Sequence, residues 1–141
     1  MVGVPIIIGT LMGLFSFKSF KSCVEFNSEI KRSKSLMVVV GLCNFSGGGM
    51  QLTKSPDAFD GLFDISIAKD FKILDILKNL IKLFNGEIVN DKKVDTSKTN
   101  SIVVKIEGHN LPYIQADGEL VGCGGFKASV IPKAFSFYAS N

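Results

Sequence analysis

The chain has 141 residues, 46% of them hydrophobic, and a formal net charge of +3. This length and composition suit one globular domain with its own core and exclude an intrinsically disordered chain. The small net charge, without a basic arm, gives no support for nucleic-acid binding. Three widely spaced cysteines without a CxxC pair argue against a disulfide framework or a zinc site. They favour a reducing cytoplasm, with the thiols as small core residues.

Residues 1–17 form an uncharged, mostly apolar segment. The segment lies at the short limit for a membrane-spanning helix and contains Pro5 and three glycines. It has neither the basic start nor the cleavage site of a signal peptide. We therefore expect a buried helix here. A chain that opens in such a helix, with no strand before it, is expected to be part of a longer protein.

Short strands separated by polar turns are predicted for most of the remaining chain. The ranges are 22–27, 36–40, 50–52, 62–68, 94–96, 101–107, 111–116, 125–131 and 134–139, with a charged turn at 28–35. The run at 36–40 is continuously apolar, so we expect both of its faces to be buried. Many short strands at this spacing indicate a sandwich or a barrel.

Residues 70–84 have the clearest helical pattern. Asp70 suits the N-cap, and Asn85-Gly86 suits the C-terminal end. The lysine-bearing face is compatible with an anionic membrane, but we prefer a solvated face, because a core should take the apolar side. The apolar positions are Ile73, Leu74, Leu77, Leu80, Ile81 and Phe84. The predicted fold class is thus mainly β, an antiparallel sandwich with an N-terminal helix and one inserted amphipathic helix.

A run of three glycines, Gly47-Gly48-Gly49, follows the apolar strand at 36–40, with residues 41–46 between them. A glycine loop binds phosphate where it leads into a helix N-terminus. Residues 50–53 do not start a helix, and no Gly-Lys-Ser/Thr follows, so a nucleotide-hydrolase P-loop is excluded. A tight turn or bulge is favoured over a ligand loop.

Two acidic clusters have a turn and a functional interpretation. Asp60-Gly61 is a turn signal, and the alternative is a divalent-cation site with one carboxylate, loop carbonyls and water. Asp117-Gly118 between apolar strands is typical of a hairpin turn. Glu119 adds a second carboxylate, and such a pair can accept a hydroxyl proton or hold a metal on a triphosphate. From the residues alone the turn is preferred at both places.

Taken in order, four motifs resemble the C-terminal domain of the diacylglycerol kinase family. They are "GGGM", "DGLFDI", the Lys- and Leu-rich helix ending in "LFNG", and "QADGE". This family of bacterial lipid kinases and eukaryotic sphingosine kinases is related in fold to NAD kinases. The resemblance runs from residue 11 to the closing "IPKAFSFYA". It implies that residues 1–141 are the single C-terminal domain of a two-domain lipid kinase, truncated at its N-terminus.

The resemblance implies phosphoryl transfer from ATP to the hydroxyl of diacylglycerol or another lipid, such as a sphingoid base, phosphatidylglycerol or undecaprenol. The family's Gly-Asp-Gly nucleotide motif is not in this chain. ATP would therefore be bound mostly by an absent ATP-binding domain, in cis or in trans, and this chain alone should be inactive. The expected enzyme of lipid metabolism and phospholipid biosynthesis is cytoplasmic, in peripheral contact with the inner face of the membrane, and compatible with a homodimer. The alternative is a non-catalytic lipid- or protein-binding module.

The resemblance also implies catalytic and nucleotide-contacting residues. Asp117 and Glu119 match the family's Asp-Gly-Glu motif, and one of them would help to deprotonate the lipid hydroxyl near the nucleotide's phosphates and magnesium. Gly118 would lie against the nucleotide between them. The three glycines Gly47, Gly48 and Gly49 match a loop that lines the interdomain cleft.

A structural magnesium site is implied at the second cluster. The carboxylate of Asp60 and the backbone carbonyls of Asp57 and Leu62 match a loop that holds magnesium in bacterial members. The chain departs from many members in having Gly41-Leu42 where they have Gly-Asn, and in a shorter turn before Asp60.

Overall fold

The computed structural model describes residues 18–46 and 49–134. The expected N-terminal helix at 1–17, the glycines at 47 and 48, and the expected last strand, apart from Ala134, lie outside these described residues. Within them, no helix is long and apolar enough to cross a membrane.

Eight strands and one α-helix make up the described chain. The strands are β1 (Phe20–Phe26), β2 (Glu29–Gly41), β3 (Phe63–Lys69), β4 (Val94–Thr99), β5 (Ser101–Glu107), β6 (Tyr113–Ala116), β7 (Glu119–Cys123) and β8 (Phe126–Ser129). Helix α1 (Ile73–Asn85) and a short 3₁₀ helix (Glu87–Asn90) lie between β3 and β4. The mainly β, antiparallel prediction with one inserted amphipathic helix is confirmed.

The strands form a six-stranded sheet in the order β4-β3-β2-β1-β5-β8, and β6 and β7 form a separate two-stranded sheet. All pairings are antiparallel. One side of the larger sheet carries the core, because alternate residues of a strand share a face. Its buried members are Val24, Phe26, Ile65, Ile67, Ile102 and Val104.

Three strand-level predictions were wrong. The charged segment 28–35 belongs almost entirely to β2, because a two-residue turn at Asn27-Ser28, with φ of 49° and 62°, starts the strand at Glu29. Its charges are tolerated because residues 29–34 are exposed or half-buried; Lys31, for example, lies over the ring of Phe26. The run at 36–40 is only half-buried. Residues 50–52 form no strand, and Met50 makes only an isolated bridge with Ser46.

Helix α1 differs from its prediction at the start and in its packing. Its N-cap is Lys72, whose backbone N–H donates to the Asp75 carboxylate at 2.9 Å, while Asp70 has a φ of 53° and lies outside. The C-cap Gly86 is left-handed, as predicted. The helix is half-buried through Ile76, Leu80 and Leu83. Most of the predicted apolar face is exposed instead, namely Leu74, Leu77, Ile81 and Phe84.

The cysteine prediction is partly corrected. All three cysteines are free, but only Cys23 is buried, and Cys43 and Cys123 are exposed. Their exposure follows from position, since Cys43 lies in the loop after β2 and Cys123 at the end of the small β6–β7 sheet.

Candidate functional site

The Asp117 to Glu119 motif forms the tip of the β6–β7 hairpin. Ala116 pairs with Glu119, which leaves Asp117 and Gly118 as a two-residue loop. Their φ angles of 48° and 90° are both positive, as a type I′ turn requires. The hairpin turn predicted from Asp-Gly is therefore present.

Both hairpin carboxylates face solvent. Asp117 and Glu119 are exposed, and neither carboxylate has an ion-pair or hydrogen-bond partner among the described residues. The hairpin is closed at its base, where the Gly124 N–H donates to the Pro112 carbonyl at 2.8 Å. Two free carboxylates on a tight turn can accept a proton or a cation from a surface placed against them.

The same hairpin exposes large apolar side chains. Tyr113, Leu120 and Val121 are all exposed. Clusters of this kind are usual where another surface docks. The hairpin therefore combines two acidic groups with an apolar surface.

A backbone bridge between Ser46 and Met50 flanks the glycine run. Ser46 and Met50 exchange two backbone hydrogen bonds of 2.8 and 2.9 Å, and Gly49 has a φ of 95°. This geometry agrees with a tight turn, the interpretation favoured from the residues alone. Gly47 and Gly48 lie outside the described residues, so the ligand role of all three glycines stays a prediction.

The residue after this turn ties it to helix α1. The Gln51 N–H donates to the Leu83 carbonyl at 2.7 Å, and its side-chain amide donates to the Phe84 carbonyl at 3.3 Å. The φ of 76° favours glycine at this C-cap, and a Cβ at Gly86 would lie 2.7 Å from the Gln51 side-chain oxygen, so that flexible amide would have to move. Gln51 carried no sequence signal for this role.

The proposed metal loop is held by its own side chains. The Asp57 carboxylate accepts the Phe59 N–H at 2.9 Å, and the Asp60 carboxylate accepts the Leu62 N–H at 2.8 Å. Asp-to-backbone bonds over two residues are typical of turns. They stabilise the loop without an ion.

Lys98 of β4 supplies a cation at this loop. Its ammonium lies 2.6 Å from Oδ2 of Asp60 and 3.5 Å from Oδ2 of Asp64, a residue only 3% exposed. The β3–β4 register pairs Asp64 directly with Lys98. The hydrogen bond from Lys98, followed by that from the Leu62 N–H, holds the pKa of the Asp60 carboxyl below its ordinary value. The pKa of Lys98 is raised in turn, chiefly by its hydrogen bond to Asp60.

As arranged, this loop does not fit a magnesium site. The ammonium already faces the carboxylate that the ion would need, and the Asp57 carbonyl accepts the Asp60 N–H at 3.3 Å. No group of three or more His, Cys, Asp or Glu that could hold a metal occurs in 18–46 and 49–134. Magnesium at Asp57, Asp60 and Leu62 stays a prediction, and it requires Lys98 to leave Asp60.

The predicted residues form two separate groups. Asp57, Asp60 and Leu62 share one loop beside β4, while Asp117, Gly118 and Glu119 share the hairpin tip. Among the described residues, no hydrogen bond or ion pair joins the two groups. Sequence reasoning missed Lys98, because its proximity depends on strand register and no local motif marks it.

Residues 5–139 match the family described as the YegS C-terminal NAD kinase beta sandwich-like domain. The chain belongs to this family. The match covers nearly the whole chain and agrees with the antiparallel sheets above. The resemblance to the diacylglycerol kinase family is thereby confirmed.

Curated and solved proteins agree with the assignment of a YegS C-terminal domain. Diacylglycerol kinase of Bacillus subtilis strain 168 is 24% identical over 99 residues, which is 70% of this chain and 32% of that protein. A solved structure from Bacillus anthracis strain Sterne has a TM-score of 0.62 at 17% identity, and covers 86% of this chain and 40% of its own. A diacylglycerol kinase structure from the same strain has a TM-score of 0.58 at 20% identity, and covers 85% of this chain and 43% of its own. The likeness shows a shared fold, and this YegS C-terminal domain spans less than half the length of each relative.

Proposed function

We propose that this chain is the lipid-side domain of an ATP-dependent lipid kinase that phosphorylates the hydroxyl of diacylglycerol or a similar lipid. The carrying observation is the family match over residues 5–139, with a curated relative that is a diacylglycerol kinase. The free carboxylates at the hairpin tip add support, because such a reaction needs a proton acceptor at the lipid hydroxyl.

The proposed roles follow from the hairpin. Asp117 or Glu119 accepts the proton of the lipid hydroxyl, and Gly118 lets the phosphates approach the turn closely. Phosphoryl transfer depends mainly on positioning and on neutralising charge. Magnesium, when bound, would supply that neutralisation. Positioning is the work of the hairpin, which carries both carboxylates at its tip.

A second domain that binds most of the ATP completes the proposal, in cis or in trans. Two observations support it: the chain spans 32% of its curated relative, and the hairpin exposes Tyr113, Leu120 and Val121. One wall of a cleft cannot hold ATP in line with a hydroxyl, so the chain alone is inactive. The complete enzyme acts in phospholipid metabolism at the cytoplasmic face of the membrane, as a peripheral protein.

The gene around this segment tests the proposal before any assay. A Gly-Asp-Gly nucleotide motif in the same reading frame, or in a neighbouring gene whose product binds this chain, supports the kinase. If neither exists, the non-catalytic lipid- or protein-binding module takes its place.

A further inference from the structure

The amphipathic helix α1 leaves an apolar stripe uncovered. Its members are Leu74, Leu77, Ile81 and Phe84, which are 67, 39, 78 and 53% exposed. Spacings of three, four and three residues put them on one side of the helix, over a length of about 15 Å. A single exposed leucine is ordinary on a protein surface, but a continuous line of four large side chains marks an interaction site.

The domain holds this helix firmly in that orientation. Leu83 accepts a backbone hydrogen bond from Gln51, and the Asp75 carboxylate pairs with Lys93 at 2.6 Å. Ile76 and Leu80 are half-buried on the side that packs. The stripe therefore faces outward, and rotation of the helix cannot bury it without breaking these contacts.

The charges beside the stripe indicate its occupant. Lys78 lies four residues after Leu74 and three before Ile81, so it borders the stripe, and Lys82 continues that border one turn later. Neither lysine has an ion-pair partner among the described residues. Asp75, the one acid of the helix, is neutralised by Lys93. An apolar stripe bordered by free ammonium groups fits an anionic lipid surface.

We propose that helix α1 docks on an anionic bilayer, with Leu74, Leu77, Ile81 and Phe84 in the headgroup region and Lys78 and Lys82 on lipid phosphates. Residues 1–17 are an alternative occupant of the stripe, but they carry no charged side chain and would leave both lysines without a partner. Anionic lipid satisfies both. The biological meaning rests on the proposed function, because a lipid kinase has to reach its substrate in the membrane.

The test is co-sedimentation of the 141-residue chain with vesicles of phosphatidylcholine, with and without phosphatidylglycerol. The double variant Leu74→Gln/Ile81→Gln should weaken binding to anionic vesicles about tenfold or more. Its matched control is Ile30→Gln/Ile131→Gln, which changes two side chains of similar exposure, 57 and 75%, away from the helix. All four substitutions are at exposed positions, so the melting temperature should stay near that of the unchanged chain.

The lysines are tested with a matched charge control. Lys78→Gln/Lys82→Gln should weaken binding to anionic vesicles about tenfold and affect neutral vesicles little. Lys34→Gln/Lys127→Gln changes net charge equally and should have a much smaller effect.

Equal binding by the helix and control variants would overturn the proposal. So would an unchanged chain that does not bind vesicles; a dimer abolished by Leu74→Gln/Ile81→Gln would then assign the stripe to a protein contact. Vesicle binding needs no ATP, so failure of the kinase proposal and failure of the docking proposal can be told apart.

Discussion

Lys98 places its ammonium nitrogen 2.6 Å from a carboxylate oxygen of Asp60, a residue 38 positions earlier in the chain. The pair closes the loop at which the family resemblance implies a magnesium ion. A side chain of β4 thus supplies positive charge where the resemblance places metal.

Removal of this ammonium should destabilise the domain. Lys98→Gln leaves the buried carboxylate of Asp64 without its cation, and we expect the melting temperature to fall by roughly 5 °C. Lys105→Gln is the control, because it removes an exposed pair with Glu25. Calorimetry should show a clearly larger fall for Lys98→Gln; equal falls would mean that Asp64 does not depend on Lys98.

Magnesium should raise the melting temperature of Lys98→Gln more than that of the unchanged chain, because the carboxylates of Asp60 and Asp64 then have no ammonium partner.

The hairpin carboxylate should matter for turnover and not for folding. In the complete two-domain enzyme, Asp117→Asn is expected to lower kcat about 10²- to 10⁴-fold. The fold should be kept, because the residue is exposed and asparagine tolerates its φ of 48°. Asp70→Asn is the matched control, since Asp70 is also exposed with a φ of 53° and lies away from the hairpin. Loss of folding in Asp117→Asn, or equal kcat in both variants, would remove the catalytic role.

How far the sequence predicts this structure depends on how local the signal is. Strand 101–107, the Asp117-Gly118 turn and the Gly86 cap were predicted, because each depends on alternation or on positive φ within a few residues. The first half of β2 was missed, because its charges obscure the alternation of a partly solvated strand.

Longer-range features had no local signal. The apolar arc of α1 is wide enough that either half could pack, so periodicity did not show that Ile76, Leu80 and Leu83 face the domain. Lys98 meets Asp60 and Asp64 only through the β3–β4 register. At the candidate site, sequence motifs predicted the hairpin and the Asp60 loop. The role of Lys98 became visible only in the structure.

Substitution by alanine should affect stability very differently at Gly122, within β7, and at Gly125, just after it. A Cβ at Gly125 would overlap the backbone carbonyl oxygen of Val104, whereas a Cβ at Gly122 meets nothing within 4 Å. Gly125→Ala should therefore lower the free energy of unfolding by about 1–3 kcal/mol, because backbone has to shift. Gly122→Ala should change it by less than about 0.5 kcal/mol. Urea unfolding of both variants checks this, and similar values would contradict the β5–β8 packing described above.

The free energy of unfolding should decrease at acid pH as Asp60 and Asp75 become protonated. Lys98 and Lys93, respectively, donate the main hydrogen bonds that lower the pKa of these carboxyls from the ordinary value of 3.8. Because the folded-state pKa is the lower one, the unfolded chain binds more protons as pH falls. The stabilisation is present above pH 3.8 and is lost as pH falls through the folded-state values.

Urea midpoints measured between about pH 5 and pH 3 check this sign. Asp60→Asn/Asp75→Asn should flatten the decline. Asp117→Asn, whose carboxylate has no ion-pair partner among the described residues, should leave the decline as it is. A double variant as acid-sensitive as the unchanged chain would show that the two ion pairs do not contribute.

The most direct test of the lipid-kinase proposal is transfer of radiolabelled phosphate from ATP to diacylglycerol in mixed vesicles. We predict no transfer by this chain alone, transfer when it is joined to or mixed with its ATP-binding domain, and loss of that transfer in Asp117→Asn. Transfer by the 141-residue chain alone would contradict the two-domain proposal. A combined protein that binds ATP and phosphorylates none of diacylglycerol, a sphingoid base, phosphatidylglycerol or undecaprenol would contradict the proposed function itself.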